Sequence, residues 1–277
     1  MKKYLSTIIL FLVLIIGLSL VLYPTFADWW NSFHQSKAVA SYVEQVSNMD
    51  DEKYQEIWSA AWEYNQSLID RPNSYLLSEE QRDNYNALLN IGGNGIMGYI
   101  EIPKLDVTMP LYHGTDEAVL QIAIGHLEWT SLPVGGESSH CVVSGHRGLP
   151  SARLFTDLDK MEVGDTFLLR VLDEVLTYEV DQIRIVEPHV TEDLLIVEGE
   201  DLVTLVTCTP YGINTHRMLV RGHRIETQEE KVVRRVTSDA IQIEPVIVAP
   251  FVAAPIMFVL LVVLMIPKSK RRKETRI

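Results

Sequence analysis

Two uncharged runs, 4–23 and 246–266, stand near the two ends of the chain, each close to the ~20 residues a helix needs to cross a bilayer. Between them the texture changes twice. Val39, Val43 and Val46, then Tyr54, Ile57, Trp58, Ala61 and Trp62, recur at three- and four-residue steps, with no Gly or Pro between positions 29 and 71, which predicts helix. The cluster Asp70-Arg71-Pro72-Asn73-Ser74 ends that pattern, a second short helix is expected over 79–89, and Gly92-Gly93-Asn94-Gly95 marks a boundary. From Gly98 onward short runs rich in Val, Ile, Leu, Thr and Tyr alternate with Gly, Pro and Asp, the pattern of a mainly β domain, a barrel or sandwich. Strands are expected at 98–102, 107–112, 141–145, 167–172, 175–186, 202–207 and 217–222, with helical turns at 118–122 and 151–157. Seven or eight strands suffice to close a barrel.

Charge orients the two apolar runs. Lys2 and Lys3 precede the first, and Lys268, Lys270, Arg271, Arg272, Lys273 and Arg276 follow the second, so both termini are expected in the cytoplasm and residues 28–245 on the outer face. A cleaved signal peptide is the alternative for the first run, but its length and the Tyr23-Pro24-Thr25-Phe26 context favour an uncleaved anchor. The expected organisation is an anchor (1–27), a helical segment with a lid region (28–95), a β-domain (96–227), a linker (228–245), a second transmembrane helix (246–267) and a basic tail (268–277).

The segment between the apolar runs holds 16 basic and 36 acidic side chains, a balance that repels nucleic acid. No Cys/His pairs at metal-ligand spacing and no Gly-rich phosphate loop occur, so neither metal nor cofactor is expected. The only cysteines are Cys141 and Cys208, which in an exported domain form one disulfide or leave a functional thiol and a bystander.

Three residues draw the chemistry. Cys208 ends the apolar run Thr204-Leu205-Val206-Thr207, just before a Pro- and Gly-containing loop, where catalytic groups often sit. Arg217 lies nine residues on, so that an antiparallel return would bring its cation beside the thiol to favour thiolate or bind an oxyanion. His146 ends another apolar run and precedes Arg147-Gly148, a good setting for an acid/base. Each also has a plain structural reading: a core thiol, an arginine paired with a carboxylate, a packed histidine. Their occurrence together in one β-rich domain carries the functional one.

Gly145-His146-Arg147-Gly148, and the run from Thr204 through Cys208-Thr209-Pro210-Tyr211-Gly212-Ile213-Asn214-Thr215-His216 to Arg217, resemble the sortases. The likeness extends over about 96–225, including Gly98-Tyr99-Ile100-Glu101-Ile102-Pro103, Gly125-His126-Leu127 and Ser131-Leu132-Pro133-Val134-Gly135-Gly136, and is nearest the pilin-polymerising class C branch. Two bracketing membrane segments also resemble that branch. The resemblance implies a closed eight-stranded sortase β-barrel with short helices, acting on LPxTG-bearing pilin or surface proteins by cleavage between Thr and Gly. It implies Cys208 as nucleophile, His146 as acid/base, Arg217 as oxyanion stabiliser, and a pilin lysine as acceptor of the thioester.

If His146 adjoins Cys208, Cys141 lies roughly 16 Å from His146 along an extended strand. A disulfide needs Cα atoms within about 7 Å, so Cys141 reads as a buried bystander. His216 is the nearest rival to His146, but adjacency to Arg217 in a strand puts the two on opposite faces. Class C sortases carry a lid with an Asp-Pro-aromatic motif; here Asp70 and Pro72 are not adjacent, and Asp70 and Tyr75 receive no role. The competing functions are a housekeeping sortase that anchors proteins to cell-wall peptide, a papain-like cysteine protease, whose chain order places Cys before His, and a non-catalytic scaffold.

Overall fold

The N-terminal apolar run continues without interruption into the polar sequence that follows it. In the computed structural model, which describes residues 2–69 and 76–227, one helix, α1 (Lys2–Ser47), spans both and carries Pro24 within it. From Thr7 onward it is long and apolar enough to cross a membrane. The helical pattern expected to run to about residue 70 is in fact two helices. Asp50 accepts the Lys53 N–H at 2.8 Å and so caps α2 (Asp51–Ile69), whose first turn carries Asp51 and Glu52, the charge that a helix N-terminus favours. α3 (Glu79–Ala87) starts from a Ser78/Gln81 capping box.

The strands follow: β1 (Ile96–Ile102), β2 (Val107–His113), a short α4 (Glu117–Leu120), β3 (Ile124–His126), β4 (Ser139–Ser144), β5 (Thr166–Val171), β6 (Glu174–Val186), β7 (Asp201–Thr209) and β8 (His216–Ile225). They close a barrel in the order β1-β2-β3-β4-β7-β8-β6-β5. The β2–β3 and β4–β7 pairs are parallel and the rest antiparallel. β3 is missing from the expected strands because three residues are too few to show a period of two. The helical turn expected at 151–157 falls later, as a single 3-10 turn at Leu158–Lys160.

Alternation sorts the strand residues. Ile100, Leu111, Val143, Phe167, Leu205 and Val220 fill the barrel interior. Their neighbours Val142, Val206 and Leu219 form, with Val186 and Leu194, a separate cluster on the outside of the wall. A third cluster joins the helices to the barrel, with Ala61 of α2 and Tyr85 of α3 packed against Met97, Leu132 and Val171. Polar anchors fix that layer. The Tyr42 hydroxyl of α1 donates to Met97 O at 2.9 Å and accepts the Leu172 N–H at 2.8 Å. Asn65 of α2 both donates to Leu132 O and accepts from its N–H, at 3.0 and 2.7 Å. Asp70 and Tyr75, the linker, the second apolar run and the basic tail lie outside the described residues.

Candidate active site

Strand register brings the three singled-out residues to one rim of the barrel. In the antiparallel β7–β8 pair Cys208 stands opposite Arg217, so their side chains leave the sheet on the same face. In the parallel β4–β7 pair Ser144 stands opposite Val206. Two residues further along both chains are His146 and Cys208. The pairing carries on past the strand end, because the Gly145 N–H donates to Val206 O at 3.0 Å and the Thr207 hydroxyl donates to Gly145 O at 2.7 Å. Adjacent strands lie about 4.8 Å apart, which sets His146 and Arg217 on either side of Cys208.

Parity decides which face this is. Val142, Val206 and Leu219 belong to the outer cluster; Cys208 and Arg217 share their parity on β7 and β8, and His146 follows two residues past Ser144, the last residue of β4. Cys141 has the other parity and sits in the interior.

Cys208 is a free thiol, partly open to solvent, whereas the free thiol of Cys141 is buried, and burial pushes it well above its ordinary range. His126 and His140 are buried as well, and burial holds their imidazoles down at about 4. His126 lies against Ser131 O and the Tyr85 hydroxyl, and His140 against Leu195 O and the Thr204 hydroxyl. These groups are packed between elements, where no substrate carbonyl can reach them. His216 pairs with Thr209 and has the parity opposite to Arg217.

Arg217 donates only to the carbonyls of Asn214 and His216, at 3.3 and 3.1 Å. Among the described residues no carboxylate pairs with it. The loop after His146 is tied to β7 by Arg147, which sequence reasoning did not single out. Its guanidinium donates to Thr209 Oγ1 at 3.3 Å and pairs with Asp159 at 2.5 Å. The motif Gly-His-Arg-Gly contained it, but nothing in the motif says which strand it reaches. Gly145 has to be glycine for a steric reason: a Cβ there would lie 2.6 Å from the Phe155 ring and 3.0 Å from Ile124.

The family model for the sortase domain matches residues 100–225. Sortase C1 of Streptococcus agalactiae is 53% identical with a TM-score of 0.67, covering 69% of this chain and 98% of that one. Sortase C of Streptococcus pneumoniae is 47% identical with a TM-score of 0.63, covering 69% and 97%. Sortase C of Clostridium perfringens, solved with the C-terminal cell wall sorting motif, is 41% identical with a TM-score of 0.61, covering 69% and 98%. Sortase D of Bacillus subtilis is 29% identical over 131 residues, and the match spans 46% of this chain and 63% of that protein. Fold and relatives together define a β-barrel cysteine transpeptidase. The chain belongs to the sortase family, and its structural neighbours are class C pilin sortases.

Proposed function

We propose that this chain polymerises pilins: it cleaves an LPxTG-like sorting signal between Thr and Gly and passes the acyl group to a lysine of a pilin subunit. The observation that carries the reading is the register that sets Cys208 between His146 and Arg217 on the outer face. The Cys208 thiolate attacks the Thr carbonyl, and the tetrahedral oxyanion forms beside the Arg217 guanidinium. Collapse breaks the Thr–Gly bond, and protonated His146 gives its proton to the departing Gly amine. The thioester then takes the lysine amine, which loses a proton to His146, and an isopeptide bond replaces the C–S bond. The outer cluster around Val206 and Leu219, flanked by Leu127, Trp129 and Val190, supports an apolar seat for the Leu and Pro of the signal. The barrel acts on the outer face of the membrane, with both termini cytoplasmic.

The acceptor is read by mass spectrometry of the full chain in detergent, mixed with a sorting-signal peptide, a pilin-derived lysine peptide and a cell-wall peptide. An isopeptide-linked lysine product is expected. Transfer to the cell-wall peptide instead would make it a housekeeping sortase, and hydrolysis alone a protease.

A further inference from the structure

Between the apolar span and the barrel, α1 carries Tyr23, Phe26, Trp29, Trp30 and Phe33, each more than a third exposed. The rings of Phe26, Trp29, Trp30 and Phe33 neighbour one another along the helix, with centroids 5.7 Å apart for Phe26 and Trp29 and 6.4 Å for Trp29 and Phe33. Residues 23–33 cover about 15 Å of helix, and Trp and Tyr collect where a span leaves the hydrocarbon for the headgroups. The same turns hold the barrel. Asp28 accepts the Arg153 N–H at 2.7 Å, and Asn31 donates to Ser151 O at 2.7 Å. Ser151 and Arg153 belong to the loop that leaves His146 and closes on it, since the Phe155 N–H donates to His146 O at 3.1 Å.

We infer that the barrel rim carrying His146 abuts the lipid headgroups, held there by Asp28 and Asn31 of the anchor helix. The occupant of the aromatic face is the bilayer interface, because the face is continuous with the membrane-length apolar helix. Taking this rim as the site rests on the proposed function; the site then works on polypeptides held at the same bilayer surface.

The test places a spin label at Arg153→Cys or at Glu198→Cys in the full chain, in a Cys208→Ala background, in nanodiscs containing a nickel-chelating lipid. Glu198 is exposed and lies just before the far end of β7, a nine-residue strand about 30 Å long. Relaxation by headgroup nickel is expected to be several-fold stronger at Arg153→Cys, and to fall toward the Glu198→Cys value when Asp28→Ala and Asn31→Ala are added. Equal relaxation at the two positions overturns the inference, as does an Arg153→Cys signal that the added substitutions leave undiminished. Because no catalysis is read, failure here is distinct from failure of the transfer reaction.

Discussion

Among the described residues, Arg217 differs from most other arginines in what it touches. Arg82, Arg147, Arg153, Arg170, Arg184 and Arg221 each pair with a carboxylate, in a chain with 37 acidic residues to choose from. Among the described residues Arg217 meets only backbone carbonyls, and under the proposed function its charge is left for a group that arrives with the substrate. Arg217→Ala is predicted to lower kcat by roughly 10²–10³ with little change in KM, the scale of losing an oxyanion donor. Arg217→Lys keeps the charge without the planar fork and is expected to recover part of the loss. Steady-state kinetics checks both, and a kcat close to wild type in Arg217→Ala would contradict the role. The nine-residue spacing to Cys208 made this pairing readable from sequence, since a return of that length brings partners face to face. The absence of a carboxylate partner was not readable, because it depends on where distant chain segments fall.

At the scale of elements, local signals were read well where they were long. Seven of the eight barrel strands lie on runs of alternating or apolar residues, while β3, at three residues, had no such signal. The break between α1 and α2 was present in the sequence as Asp50-Asp51-Glu52, a cap followed by an acidic turn, but helical spacing continued across it and hid it. His126 and His140 join elements: one ties β3 to α3 through Tyr85, the other ties β4 to the loop before β7 through Leu195. Both are held at about 4 when folded, below the ordinary value of about 6.5. Their contribution is therefore complete above about pH 6.5 and is lost as pH falls toward 4, by about 2 kcal/mol for each between pH 7 and 5. Urea unfolding should show the midpoint falling over that range, with a shallower fall in His140→Gln. A midpoint that does not move between pH 7 and 5 would contradict the buried neutral state.

At the scale of the whole molecule, the length of the first apolar run was enough to predict a membrane anchor, and α1 is long and apolar enough to be one; the second run lies outside the described residues. The docking of α1 on the barrel could not be read that way, since Asp28 and Asn31 bond residues more than a hundred positions away. What the fold accomplishes as a whole is to turn two cysteines of one chain to opposite sides of a wall. Cys141 faces the interior and Cys208 the rim beside His146 and Arg217. The most direct test is intact-mass measurement of the full chain after incubation with a sorting-signal peptide and acid quenching. A thioester adduct is predicted in the wild type and in Cys141→Ala, and none in Cys208→Ala; an adduct that persists in Cys208→Ala and vanishes in Cys141→Ala would contradict the account.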